Sequence, residues 1–130
     1  MKNMTFLGGI LAILCLPHLA NARESGLTKV YTVCMEKTGD TTVGMIDCMM
    51  AETKRQDVQL NKAYKALMAD LPASRKTQLQ EIQRMWMKYR DANCSFYFDP
   101  EGGTQARVSA NECVMNTTAE RARELENFRP

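Results

Sequence analysis

Four cysteines, Cys34, Cys48, Cys94 and Cys113, are the residues of this 130-residue chain best suited to covalent or metal chemistry. Zinc sites usually contain close pairs such as Cys-x-x-Cys, whereas these cysteines are widely spaced. A fifth cysteine, Cys15, lies in an N-terminal segment that we expect to be removed. The four that remain are an even number, which is typical of disulfides in a small exported domain. We predict the pairs Cys34–Cys48 and Cys94–Cys113, each closing a short loop, although Cys48–Cys94 is also compatible with a helical hairpin. We predict no metal ion and no other cofactor.

Acid–base and nucleophilic catalysis need residues that the expected mature chain does not offer. His18, the only histidine, lies in an N-terminal segment that we expect to be removed. Without histidine, the chain lacks a Ser-His-Asp or Cys-His arrangement and any unperturbed base that titrates near neutral pH. A glycosidase with two carboxylates needs no histidine. The best candidates, Asp57 and Glu124, each have an arginine available as a partner, so we predict that the protein is not an enzyme.

The N-terminal residues have the pattern of a cleaved signal peptide. Lys2 precedes an apolar run over residues 6–16, and Ala20 and Ala22 are small residues where a signal peptidase requires them. The run is shorter than the roughly 20 residues that cross a bilayer. Cys15 follows a leucine, which argues against a lipoprotein. We therefore expect a signal peptide over residues 1–22, one domain over residues 23–130 in the periplasm or medium, and no membrane attachment after cleavage.

Charge and size limit the kind of partner. The full chain has 17 basic and 15 acidic residues, and Lys2 is the only charged residue in the first 22, which leaves +1 on the mature chain. Such a balance gives no electrostatic reason to bind nucleic acid or an anionic membrane. A small domain buries a modest fraction of its surface, so disulfides contribute much of its stability.

Hydrophobic periodicity predicts an all-α domain in which an antiparallel hairpin is followed by a C-terminal helix. We expect an irregular arm over residues 23–46 with at most one short helix, then helices over 47–71 and 75–98, a turn over 99–103 and a third helix from Ser109. Pro72 ends the first helix, and Ser109 with Glu112 has the capping-box pattern. The predicted inward stripes are Met49, Thr53, Asp57, Leu60, Tyr64, Leu67 and Leu71; Leu79, Ile82, Trp86, Tyr89, Asn93 and Phe96; and Val114, Thr117, Arg121, Leu125 and Phe128.

A charged pair and an aromatic pair on these stripes can each be interpreted in two ways, as functional or as structural. Asp57 and Arg90 lie level in the hairpin and could bind a partner, but we favour a partly buried ion pair that Arg121 could join. Trp86 and Tyr89 could stack on sugar rings, but we favour anchors of the core. The predicted polar framework is Asp57, Asn61, Gln83, Trp86, Tyr89, Arg90 and Arg121.

The segment from Phe98 to Val108 is our candidate partner-binding surface, because a loop pinned by a disulfide loses little entropy on docking. Its acidic tip would suit a basic partner protein. The candidate contact residues are Asp99, Glu101, Gly102, Gly103 and Thr104.

Four motifs in order make the chain resemble the LprI-like lysozyme inhibitor family over about residues 48–128. The resemblance implies a small helical exported protein, and for some members inhibition of lysozyme. We therefore expect a non-catalytic inhibitor of lysozyme or a related peptidoglycan-degrading enzyme, including an immunity role; the alternative is an accessory envelope protein with no enzyme target. The motifs are Asp57-x-x-Leu60-Asn61-x-x-Tyr64, Gln83-x-x-Trp86-x-x-Tyr89-Arg90-Asp91-x-x-Cys94, Gly102-Gly103-Thr104 and Cys113-x-x-x-x-Thr118-x-x-Arg121-x-x-Glu124-Leu125.

Overall fold

Four helices make up most of the computed structural model, which describes residues 26–128. They are α1 (Lys29–Thr38), α2 (Thr42–Asp70), α3 (Ala73–Phe96) and α4 (Gly103–Asn127). The all-α class and both disulfides, Cys34–Cys48 and Cys94–Cys113, are confirmed. The signal peptide predicted over residues 1–22 lies outside the described residues. Within residues 26–128, no helix combines the length and the apolar character needed to cross a membrane.

The arm predicted as irregular is largely helical. Thr28 caps α1 by accepting a hydrogen bond on its side-chain oxygen from the backbone N–H of Tyr31, and α1 ends where Gly39 adopts a positive φ of 56°. Glycine reaches this conformation without steric cost. The next helix then begins at Thr42, five residues before the expected start. The Cys34–Cys48 disulfide joins α1 to α2, so this region packs as part of the domain.

The central element of the fold is α4, which packs along α2 and also against α3. One core cluster joins the second half of α2 to the end of α4, and another joins Met49 near the start of α2 to Val108 and Met115 of α4. The two helices therefore run side by side in the same direction, and α3 returns antiparallel to them. The first cluster consists of Leu60, Ala63, Leu67, Leu71, Ala122 and Leu125.

The start of α4 differs from the prediction. The helix begins at Gly103 and not at Ser109, which lies inside it. Ala106 and Val108 are buried, and Val108 joins the second core cluster. Burial of these two side chains extends the helix toward its N-terminus, so the capping pattern at Ser109 is not used. The predicted loop over residues 98–108 therefore shortens to the turn between Phe96 and Gly103.

The inward stripes of α2 and α3 also differ from the prediction. In α2, Glu52 and Gln56 are buried where Thr53 and Asp57 were expected. In α3, Ile82, Tyr89 and Phe96 are exposed, and so is Phe128 after the end of α4. The physical reason is that α3 packs mainly on α4, and one neighbouring helix covers only a narrow strip of its surface.

Candidate functional site

The turn between α3 and α4, together with the helix residues on either side of it, forms the surface that we call the tip, residues 96–104. Its backbone is ordered by hydrogen bonds, since the Glu101 N–H donates to Oδ1 of Asp99 at 2.9 Å and the Gly102 N–H donates to the Asp99 carbonyl at 3.0 Å. The Cys94–Cys113 disulfide, with 5.4 Å between its Cα atoms, ties the two helices together directly behind the tip. All five predicted contact residues are exposed there: Asp99, Glu101, Gly102, Gly103 and Thr104.

Three consecutive aromatic residues, Phe96, Tyr97 and Phe98, add an exposed apolar surface to the tip. Phe96 is 86% exposed, and Tyr97 and Phe98 are each 50% exposed. The prediction had placed Phe96 on the buried stripe and was wrong. A signal was present in the sequence, because consecutive residues of a helix point about 100° apart and cannot all face one core. Exposed aromatic side chains beside a rigid turn are typical anchors of protein interfaces.

The expected ion pair between Asp57 and Arg90 is not formed. Arg90 instead pairs with the adjacent Asp91, with 2.8 Å between Nη2 and Oδ1, while Oδ2 of Asp57 accepts a hydrogen bond from Asn61 at 3.1 Å. The reason is that each side chain finds a partner on its own helix. Asp57 and Arg90 nevertheless face each other across one groove.

Arg121 links α4 to α3 beneath that groove. Its Nε donates to Oε1 of the buried Gln83 at 3.0 Å, and its Nη1 donates to Glu124 at 2.7 Å. Its Nη2 is buried and has no hydrogen-bond partner among residues 26–128. The guanidinium carbons of Arg121 and Arg90 lie 5.9 and 5.2 Å from the centroid of the Trp86 ring. Cation–π attraction at these distances compensates part of the unmet hydrogen bonding.

Trp86 and Tyr89 do not form one aromatic patch. Trp86 is half-buried and packs against the first core cluster, as an anchor of the core would. Tyr89, three residues later, is exposed. The two aromatic side chains therefore belong to different surfaces of α3.

The groove between α2 and α3 has a volume of about 480 Å³. It is lined by five of the seven residues that were predicted as a structural polar framework. Its walls are formed by Asp57, Leu60, Asn61 and Tyr64 of α2 and by Gln80, Gln83, Arg84, Trp86, Met87 and Arg90 of α3.

A buried carboxylate that sequence reasoning missed fixes the N-terminal end of the described chain. Glu52 is fully buried and accepts hydrogen bonds from the Thr28 N–H at 2.8 Å, the Thr28 hydroxyl at 2.6 Å, Arg55 at 2.7 Å and Gln56 at 2.7 Å. Gln56 also donates to the Gly26 carbonyl at 2.9 Å. Burial by itself raises the pKa of the Glu52 carboxyl, but the hydrogen bonds from Thr28, Gln56 and Arg55 outweigh it and hold that pKa below its ordinary value.

Among residues 26–128, no three histidine, cysteine, aspartate or glutamate side chains converge as a metal site would require. The structure thus defines a class of protein, a small disulfide-bonded helical domain with a rigid exposed tip and a polar groove. Residues 34–125 match the family model described as lysozyme inhibitor LprI, so the chain belongs to the LprI family and the resemblance drawn from its motifs is confirmed.

Comparison with individual proteins adds one relative and no solved structure. An uncharacterized protein of Rhizobium meliloti (strain 1021) is 27% identical over 95 residues, covering 62% of this chain and 68% of the relative. No solved structure matches the chain.

Proposed function

We propose that the protein is an exported, non-catalytic inhibitor of a lysozyme-type peptidoglycan hydrolase. The observation that carries the proposal is the match of residues 34–125 to a family of lysozyme inhibitors. Export agrees with two disulfides, which persist in oxidising compartments, and with the signal peptide predicted over residues 1–22. The partner is then a protein, and inhibition is stoichiometric with no turnover by the inhibitor.

We place the contact surface at the tip, for reasons of rigidity and chemistry. The Cys94–Cys113 disulfide and the hydrogen bonds of Asp99 hold the turn in one conformation, so that little entropy is lost on docking. Phe96 supplies a large apolar area, and aromatic anchors dominate the energy of many interfaces. Asp99 and Glu101 add negative charge, which attracts a basic enzyme such as a typical lysozyme.

The test is a titration of lysozyme-type hydrolases with mature protein, with hydrolysis of cell walls as the measurement. We expect activity to fall in proportion to inhibitor and to stop falling at a fixed molar ratio. The double variant Asp99→Ala/Glu101→Ala should weaken inhibition by about tenfold and become less sensitive to salt, because charges at the rim of an interface act through screened attraction. Its melting temperature should barely change, because exposed substitutions usually cost under about 0.5 kcal/mol.

A matched control removes two exposed acids at the opposite end of the molecule, Asp70→Ala/Glu126→Ala, and produces the same change of net charge. This control should inhibit as the wild type does. Equal loss in both double variants would show that net charge matters and the tip does not. If wild-type protein inhibits neither animal-type nor bacterial hydrolases, the inhibitor proposal is wrong for them and the accessory envelope role replaces it.

A further inference from the structure

The α3 wall of the groove between α2 and α3 carries a hydrogen-bond donor that the described chain leaves unused. Gln83 is only 8% exposed, and its Oε1 accepts a hydrogen bond from Arg121. Because arginine can only donate, the oxygen of the amide must face Arg121, which leaves Nε2 on the side of the groove. Among residues 26–128, this Nε2 has no hydrogen-bond partner. This Nε2 is not fully buried, so it is open to solvent and can donate to an acceptor that enters the groove.

The same wall carries a cation that the described chain does not neutralise. Asp91 pairs with Arg90, and Glu124 pairs with Arg121. Arg84, adjacent to Gln83 and lining the same groove, has no acidic partner among residues 26–128. A planar guanidinium presents two parallel N–H donors, which match the two oxygens of a carboxylate. The excess of donors on this wall favours an anionic ligand.

The α2 wall restricts which anion can bind. Asp57 is exposed and uses Oδ2 to accept from Asn61, which leaves Oδ1 able to accept a further hydrogen bond. A phosphate dianion would be repelled by this carboxylate, whereas a monocarboxylate with an N–H, ammonium or hydroxyl group would place its donor there. The volume of about 480 Å³ is within the range of small-molecule sites, about 300–1,000 Å³.

Stacking of a neutral sugar ring on Trp86 is a poorer explanation of the groove. The indole packs against the first core cluster, and two guanidinium groups lie over its ring within 6 Å of the centroid. Little of the ring face is left for a ligand. The polar groups of the walls, and not an aromatic platform, must therefore provide recognition.

We propose that the groove between α2 and α3 binds a small carboxylate ligand that also carries a hydrogen-bond donor. Arg84 and Nε2 of Gln83 hold the carboxylate, and Asp57 accepts the donor. Amino acids, peptide ends and acidic amino sugars share this chemistry. The site is separate from the tip, so the proposal does not depend on inhibition of a hydrolase.

Trp86 makes the test direct, because it is the only tryptophan of the chain and lines the groove. Mature protein is titrated with N-acetylmuramic acid, with the dipeptide Ala–Ala, with uncharged N,N′-diacetylchitobiose and with inorganic phosphate, up to about 10 mM. We expect a saturable change in Trp86 fluorescence with one or both carboxylates, which also identifies the source. Arg84→Gln should weaken that binding at least about tenfold, since charge-assisted hydrogen bonds are the strong ones.

The matched control is Arg107→Gln, which removes an exposed arginine outside the groove and should bind as the wild type does. Asp57→Asn should weaken binding of the ammonium-bearing dipeptide more than that of the acetylated sugar. The proposal is overturned if no carboxylate gives a saturable signal, if Arg84→Gln binds as well as wild type, or if phosphate or the uncharged sugar binds more tightly.

Discussion

Removing the buried carboxylate of Glu52 should destabilise the domain more than any other single loss of charge within residues 26–128. Glu52→Ala takes away the acceptor for Thr28, Arg55 and Gln56, while Gln56 keeps its second bond to Gly26. Removing one partner of a buried charged network costs about 3–5 kcal/mol. Thr28 and Arg55 are partly accessible and regain water, which places the expected loss near the lower limit. Even about 3 kcal/mol is a large part of the stability of a small domain.

The acid sensitivity of the protein should depend on the same carboxyl. The pKa of Glu52 in the folded protein lies below its ordinary value of 4.5. The ionised form is therefore favoured by folding, so its contribution is fully present above the unfolded pKa and disappears as the pH falls through the folded pKa. The free energy of unfolding should decrease on acidification over this range. Glu52→Gln cannot titrate and should lose this part of the dependence.

The assay is urea denaturation followed by circular dichroism, with disulfides intact, from about pH 7 to about pH 3. Glu36→Gln is the control, because it removes an exposed acid from α1. We expect the control to follow the wild type and Glu52→Gln to show a lower free energy of unfolding at neutral pH and a flatter decline with acid. Equal stability of wild type and Glu52→Ala, or an unchanged pH slope in Glu52→Gln, would refute the assigned role of this network.

Two further predictions concern the disulfide behind the tip and the indole in the wall of the groove. Replacing Cys94 and Cys113 by serine opens a loop of 19 residues and should lower the free energy of unfolding by about 3 kcal/mol, measured by urea denaturation. Inhibition by the still-folded variant should weaken as the tip loses order. Unchanged stability would contradict the loop-closure argument. Trp86→Ala should lower the free energy of unfolding by about 3 kcal/mol, because the ring is only half-buried. Thermal denaturation should therefore show a domain that is less stable but still folded. A melting temperature equal to that of the wild type would show that the indole does not support the core.

The fold class and the cysteine pairing followed from local information. Helical periodicity and the end of a helix at Pro72 depend only on residues that are close together in the sequence, so the sequence alone could predict them. The pairs Cys34–Cys48 and Cys94–Cys113 close short loops. Because pairing that closes short loops is preferred, the spacing of the cysteines in the sequence was enough to favour these two pairs. The exposed acids of the tip were also predictable, since a turn rich in glycine and proline lies at the surface.

The candidate sites depended on contacts between residues distant in sequence. Periodicity shows which residues share a face of a helix, but the neighbouring helices decide which face is buried. Glu52 can be buried because Thr28, 24 residues earlier, supplies two donors, and Arg121 lies beneath the groove because Gln83, 38 residues earlier, accepts from it. Sequence spacing contains no information on such pairs. Only the packing of α4 between its neighbours left Phe96 exposed and placed most of the predicted framework in the wall of a groove.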